Sequence, residues 1–283
     1  MKKLTLNSNA KINLSLEILR KRNDGFHEIN SLFVPIDLSD KIEFTTSDGF
    51  QLQTIPSQII TPMNENIIFK TIKLIQFKYK INIELIKITL YKKIPIGAGL
   101  GGGSSNAATT LLGVNEMYNL NLSQSELINL AENIGSDVPF FVFNKPAIVQ
   151  GRGEIIQPVH LPFNFNIVLV YPLLNISTKF AYSLVSKGRQ KEPTDFIKVL
   201  NEIKSLDEFR NNFSNDFEEI LFPHFPILKK IKEKLYTLGA KYSGLSGSGS
   251  TCFGIFDCPT DVEYFRKQFP EFLVFVSKPI NVL

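Results

Sequence analysis

Five of the seven residues from Gly97 to Gly103 are glycine, and the segments on either side of them leave few folds open. Upstream, Ile83 to Ile94 has the β-branched character of a strand. Downstream, Ser104 to Tyr118 puts Ala107, Leu111, Val114 and Tyr118 on one helical stripe. Glycine reaches positive φ without steric cost and lets another group come up against the main chain. A strand, a glycine-rich turn and a helix N-terminus in succession therefore aim several backbone N–H groups at one anion, and a nucleotide phosphate suits that geometry. Glycine and serine also build flexible linkers, but a linker is not usually wedged between a strand and an amphipathic helix.

Two familiar phosphate-binding devices fit poorly. Gly97 to Gly102 contains G-x-G-x-x-G, yet a dinucleotide-binding unit also needs an acid at a strand end about twenty residues on. Glu116 has that distance but sits inside the helical stripe. The Walker pattern requires lysine where Ser104 stands. The chain thus carries a phosphate cradle without its own lysine, and positive charge for a transferring phosphoryl group must come from elsewhere.

One source lies near the start. From Lys11 to Leu19, Ile12, Leu14, Leu16 and Ile18 alternate with Lys11, Asn13, Ser15 and Glu17, the period of a strand with one buried face. Lys11 and Asn13 therefore project from the same polar face. Asn23-Asp24-Gly25 is a turn signal, and Phe26 to Ile36 returns as a second strand, with Phe26 and His27 side by side at its start. Lys41 to Thr46 and Phe50 to Ile55 read as two further short strands. Asn66 caps a helix, and Ser123 with Glu126 forms a capping-box pattern for another that Gly135 ends. Gly135-Ser136-Asp137-Val138-Pro139 follows, and an acid in that setting is commonly a helix cap.

The second half alternates strands (Asn166 to Tyr171, Lys241 to Leu245, Thr251 to Phe256, Phe272 to Val276) with helices (Thr178 to Ser186, Pro193 to Ile203, Ile227 to Leu238, Val262 to Gln268). The expectation is an α+β chain of two domains, 1–158 and 159–283. At 283 residues, 43% apolar and 20% charged, it has ample core. A net charge of +4 suits anionic small molecules. Arg20-Lys21-Arg22 is too short a basic cluster for a nucleic-acid footprint. Cys252 and Cys258 make neither a disulfide framework nor a metal site, and no apolar run approaches a membrane span. A cytoplasmic enzyme without nucleic-acid or membrane partners is expected.

Three segments resemble the motifs of the GHMP superfamily of small-molecule kinases, which includes galactokinase, homoserine kinase and mevalonate kinase. They are Ala10-Lys11-Ile12-Asn13-Leu14, Pro95-Ile96-Gly97-Ala98-Gly99-Leu100-Gly101-Gly102-Gly103-Ser104-Ser105, and Leu245-Ser246-Gly247-Ser248-Gly249-Ser250-Thr251. The likeness sharpens, at Arg22 to His27, at Ser104-Ser105-Asn106-Ala107-Ala108, at Gly135 to Phe141 and at Asn215-Asp216-Phe217-Glu218, toward the branch that phosphorylates the 2-hydroxyl of 4-diphosphocytidyl-2-C-methyl-D-erythritol in the non-mevalonate route to isoprenoids. The resemblance implies a ribosomal-protein-like α/β fold for the N-terminal domain, a ferredoxin-like C-terminal domain and an active site in the cleft between them. It implies that residues 95–105 bind ATP, that Lys11 and Asp137 are the catalytic pair, and that Gly247 and Ser248 line the acceptor site. His27 is expected on the cytosine edge and Phe26 on one face; Tyr182 is chosen for the other face, with Phe180 as its competitor, and Asn13 as a hydrogen-bond partner.

Mg²⁺ with ATP is expected from the chemistry. Asn106 stands where relatives commonly have an acid, and Asn9 where many have proline, so no metal ligand is assigned. Three rivals remain open at this point: a GHMP kinase for homoserine or a mevalonate-like acceptor, a nicotinamide-dependent oxidoreductase using G-x-G-x-x-G, and an RNA-binding module.

Overall fold

The computed structural model describes residues 2–57, 61–185 and 192–280. In chain order its strands are β1 (Lys3–Lys21), β2 (His27–Thr46), β3 (Gln51–Ile55), β4 (Ile86–Tyr91), β5 (Ala147–Gly151), β6 (Ile155–Pro158), β7 (Asn166–Tyr171), β8 (Tyr242–Leu245), β9 (Cys252–Phe256) and β10 (Leu273–Ser277). Its α-helices are α1 (Ile67–Tyr79), α2 (Gly102–Met117), α3 (Gln124–Glu132), α4 (Val138–Phe143), α5 (Thr178–Ser183), α6 (Phe196–Glu202), α7 (Phe209–Asn212), α8 (Phe217–Leu221), α9 (Pro226–Thr237) and α10 (Val262–Gln268). The chain is α+β. It divides into two compact units, each assembled from several segments: Met1–Ala10, Ser39–Ile94 and Gly101–Asn144 in one; Lys11–Leu38, Pro95–Leu100 and Lys145–Leu283 in the other.

In the first unit β4 pairs antiparallel with Lys41–Thr46 of β2 and parallel with β3. Helix α2 packs on α1 and α4, and α3 packs on α4. The helix starts follow local chemistry. Asn66 accepts from Ile68 N at 2.9 Å, and Ser123 with Glu126 completes the capping box. Gly113 faces the ring of Phe44, which is fully buried. Glycine is there because α2 comes too close for a side chain.

The second unit holds an antiparallel sheet of order β10-β7-β9-β8. With α10 between β9 and β10 and helices between β7 and β8, this is the β-α-β-β-α-β arrangement called ferredoxin-like. Ile231 and Leu235 of α9 join Val168, Val170, Leu245 and Cys252 in its core, with Leu16 and Ile18 of β1. Such side chains contribute about 1.5–3 kcal/mol each when fully buried. Burial also pushes the Cys252 thiol well above its ordinary range, so this cysteine is inert. In the same unit Ile29–Phe33 of β2 pairs antiparallel with β5, and β5 with β6.

Several elements differ from the sequence-based expectation. The strands read at Phe26 to Ile36 and Lys41 to Thr46 are one strand, β2, because the intervening Asp40 is buried with its charge paired rather than solvated. The strand read from Lys11 begins at Lys3, since Ser8 is buried and hydrogen-bonded instead of breaking an exposed tail. The strand read over Ile83 to Ile94 shortens to β4. Helix α3 ends at Glu132, and Gly135 continues as a turn whose N–H donates to Ala131 O. Helix α4 and strands β5 and β6 have too few residues for a periodic signal. The helix read over Thr178 to Ser186 ends at Ser183, Ser186 lying outside the described residues; that over Pro193 to Ile203 starts at Phe196. Among the described residues no helix is long and apolar enough to cross a membrane.

A Cβ at Gly113 would lie 2.3 Å from Phe44 Cζ. Despite alanine's better helix propensity, Gly113→Ala is expected to destabilise the protein by about 1–3 kcal/mol. Urea denaturation checks this; an unchanged or raised midpoint would refute the contact.

Candidate active site

Each unit carries part of the expected site. In the second unit Lys11, 3% exposed, donates from Nζ to Asn13 Oδ1 at 2.5 Å and lies 4.5 Å above the ring of Phe33. Alternation along β1 puts the two on one face, as expected. Asn13 in turn donates to Ser31 Oγ at 3.0 Å, and Ser31 to Ser15 O at 2.5 Å. The amide is thereby oriented with its oxygen on the ammonium, and the ring face of Phe33 adds a cation–π contact. A buried lysine is tolerable only with such compensation.

The first glycine turn meets this strand through Lys11 N, which donates to Leu100 O at 3.0 Å. On its other side the turn is joined to residues 246–251. Ser246 Oγ donates to Gly99 O at 2.9 Å, and Thr251 N to Ala98 O at 3.2 Å. Gly99 has φ +76°, and a Cβ there would stand 2.1 Å from Ser246 O; no other residue fits. Gly247, φ +57°, is where the second turn comes nearest to Lys11 and Asn13: its Cβ position lies 3.3 Å from Asn13 Oδ1 and 3.6 Å from Lys11 Nζ. The structure thus brings together Lys11, Asn13, Ala98, Gly99, Leu100 and Gly247. Ser248 is 8% exposed, its Oγ 3.3 Å from Thr178 Oγ1. The Pro95–Gly97 end of the turn is flanked by Asn175, beside Gly97, and by Tyr171, whose hydroxyl donates to Ile96 O at 3.4 Å.

In the same unit, Asp24 Oδ1 accepts from Phe26 N at 3.1 Å and closes the turn ahead of β2. His27 stacks on Tyr182, centroids 5.2 Å apart at 19°. Tyr182 also meets Phe217 edge-on. Phe180 instead turns toward Phe225. Phe26 is 51% exposed, with the Arg152 guanidinium 5.7 Å above its ring. Burial and the nearby Lys21 charge hold the His27 imidazole below its ordinary pKa range, so the ring is neutral at neutral pH.

In the first unit, α2 begins after Gly101 at φ +70°, with no side chain capping its first turn. A Cβ at Gly103 would meet nothing within 4 Å. Ser104 is half-buried; Ser105 is buried, its Oγ 2.8 Å from Ser8 Oγ, which also lies 2.7 Å from Asn106 Oδ1. Asp137 occupies the position before α4 but makes no capping hydrogen bond to that helix. The bland reading of Asp137 as a cap therefore lacks its defining contact.

Residues 66–145 match the GHMP kinases N terminal domain and residues 196–274 the GHMP kinases C terminal. A 4-diphosphocytidyl-2-C-methyl-D-erythritol kinase of Thermodesulfovibrio yellowstonii is 39% identical over 94% of each chain. A protein of the same name from Azobacteroides pseudotrichonymphae is 42% identical over 89% of this chain and 92% of its own. The chain belongs to the 4-diphosphocytidyl-2-C-methyl-D-erythritol kinase family of GHMP kinases.

A crystal structure of a kinase of this family, named 4-(cytidine 5'-diphospho)-2C-methyl-D-erythritol kinase, superposes with a TM-score of 0.81 at 28% identity, covering 97% of this chain and 98% of that one. Methanococcus jannaschii mevalonate kinase superposes at 0.76 with 17% identity, over 99% of each chain, and shares the fold. The G-x-G-x-x-G spacing accordingly belongs to a kinase turn and not to a dinucleotide-binding unit. Sequence reasoning missed one ion pair beside that turn. Lys92 Nζ donates to Asp40 Oδ2 at 2.7 Å and to Ile94 O at 2.5 Å, while Asp40 Oδ1 accepts from Lys93 N and Ile94 N. Burial lowers the Lys92 pKa against the opposing pull of Asp40. The pair fixes the chain entering Pro95; the only trace in the sequence is a charged residue in a strand that otherwise reads as broken.

Because Gly99 is in contact with backbone and Gly103 with nothing, Gly99→Ala is expected to cost about 2 kcal/mol or more and Gly103→Ala close to none. Thermal denaturation of the two variants checks this. Equal midpoints would mean the two glycine turns are not in contact.

Proposed function

We propose that this chain is an ATP-dependent kinase that transfers the γ-phosphoryl group to the 2-hydroxyl of 4-diphosphocytidyl-2-C-methyl-D-erythritol, in the methylerythritol phosphate route to isoprenoids. The observation that carries the reading is identity of 36–42% with relatives of that name over most of the chain. The convergence of Lys11, Asn13, Gly99 and Gly247 supports it with geometry suited to phosphoryl transfer.

In this reading the amides of residues 95–105 hold the triphosphate, and the α2 macrodipole favours its charge. The hydroxyl oxygen attacks Pγ as the bond from Pγ to the β,γ-bridging oxygen breaks and ADP leaves. The hydroxyl proton passes to the Asp137 carboxylate, which also orients the alcohol. Lys11 stabilises the charge that develops on the transferring group, and Asn13 fixes the ammonium where it is needed. Gly247 and Ser248 offer backbone and hydroxyl to the acceptor. The cytosine enters at Phe26, His27 and Tyr182, where aromatic faces stack on the base and the neutral imidazole pairs with its edge.

ATP would bring Mg²⁺ through its own phosphate oxygens. The oxygens of Ser8, Ser105 and Asn106 are neutral and bonded to one another. Among the described residues no group of three or more His, Cys, Asp and Glu is set to hold a metal. No residue is assigned to hold the ion, and no step is routed through it.

ADP release should appear with the cytidine diphosphate acceptor and not with homoserine or mevalonate; the reverse preference overturns the assignment. Asp137→Asn should lower kcat on the order of a thousandfold with ATP binding nearly intact; near-normal turnover would remove Asp137 from its role. Since His27 is held below the ordinary imidazole range, acceptor KM should stay flat above about pH 7 and rise as the ring protonates, below about pH 6. Steady-state kinetics across that range check it, with His27→Gln expected to abolish the rise.

A further inference from the structure

The segment Asn215-Asp216-Phe217-Glu218 plays no part in the chemistry above, yet its polar side chains end on backbone that the site depends on. Leu16 N donates to Ser214 O at 2.8 Å and Asp216 N to Leu16 O at 2.9 Å, so residues 214–216 lie along β1 as a short parallel bridge. Ile18 N donates to Asp216 Oδ2 at 2.8 Å, and Ser15 Oγ to Ser214 O at 2.9 Å. From this strap Asn215, 3% exposed, sends both N–H groups of its amide to the second glycine turn: Nδ2 lies 2.6 Å from Leu245 O and 2.8 Å from Gly247 O. Its Oδ1 accepts from Phe217 N at 3.0 Å. Glu218 Oε1 accepts from Leu245 N at 2.9 Å and Oε2 from Lys232 Nζ at 2.5 Å. Leu245 is thus gripped at both its N–H and its C=O.

We infer that Asn215 is a positioning residue: bridging β1 and the Leu245–Gly247 backbone, it sets the distance of the second glycine turn from Lys11 and Asn13. Two carbonyls that would otherwise repel are aimed at one amide, which turns the Gly247 carbonyl toward Asn215 and leaves the near approach to Lys11 and Asn13 to the Gly247 α-carbon. The spacing is tight, 3.3 Å from a Gly247 Cβ position to Asn13 Oδ1, so a displacement of one ångström changes what an acceptor meets. Displacements of that size cost on the order of a hundredfold in rate. The inference rests on the functional reading above for its catalytic consequence and on the hydrogen bonds alone for its structural one.

Asn215→Asp keeps the shape of the side chain and removes both donors. Its kcat is expected to fall about a hundredfold, with ATP KM within about threefold of wild type. Asp216→Asn, which keeps an oxygen for Ile18 N and leaves the Asn215 amide in place, should leave kcat within about twofold while sharing any general loss of melting temperature. If Asn215→Asp does not fold, Asn215→Ala removes the donors without adding charge and carries the same test. A folded variant with unchanged kcat overturns the inference, as does an equal loss of kcat in Asp216→Asn. Amide hydrogen exchange judges the hold on the turn without any substrate: exchange at Gly249 and Thr251 should quicken at least tenfold in Asn215→Asp and not in Asp216→Asn. Should wild type fail to phosphorylate the cytidine diphosphate acceptor, the functional reading falls, and unchanged exchange would separately remove Asn215.

Discussion

Backbone holds backbone at the centre of this protein. The turn through Ala98, Gly99 and Leu100 is fastened on one side by Lys11 N and on the other by Ser246 Oγ and Thr251 N. Three segments separated by more than eighty residues meet there, and none of the three bonds requires a particular side chain except the serine hydroxyl. What the meeting does require is the absence of a Cβ at Gly99, where 2.1 Å separates that position from Ser246 O. Ordering each residue costs about 1–2 kcal/mol. Mutual hydrogen bonding of this kind is how a glycine-rich turn, the costliest type to fix, is held in one shape before any ligand arrives.

Two lysines near the turn show how differently one residue type is used. Lys92 is paired: it donates to Asp40 and to the Ile94 carbonyl, and the carboxylate in turn accepts from Lys93 N and Ile94 N. A buried pair so completely bonded is weak evidence for stability, but it specifies one path for the chain. Lys11 meets the amide oxygen of Asn13 and the ring face of Phe33.

What was legible in the sequence is what depends on neighbours in the chain. The capping box at Ser123 and Glu126, the cap at Asn66 and the shared face of Lys11 and Asn13 each need only a few consecutive residues. The continuity of β2 through Asp40 is not legible locally, because the lysine that pairs with that carboxylate is 52 positions away. Helix α4 and the strap at residues 214–216 are shorter than any periodic signal. Tyr182 was chosen over Phe180 from sequence as a close choice, and in the structure Tyr182 stacks on His27 and meets Phe217 while Phe180 meets Phe225. Periodicity supplied the faces; long-range pairing supplied the addresses.

The acceptor is a separate question from the fold. Structures named for homoserine and mevalonate kinases superpose with TM-scores of 0.74 and 0.76 at 16% and 17% identity, so the fold by itself does not choose between acceptors. Selection between them has to reside in side chains that the scaffold does not need. The turn at Asp24-Gly25 and the short helix α5 meet that condition. Phe26 is half exposed, while His27 stacks on Tyr182, which packs against the core through Phe217. Exposed aromatic rings gain little for stability and cost entropy to order. In the proposed function these rings meet a flat base, toward which a neutral imidazole can offer one donor or one acceptor.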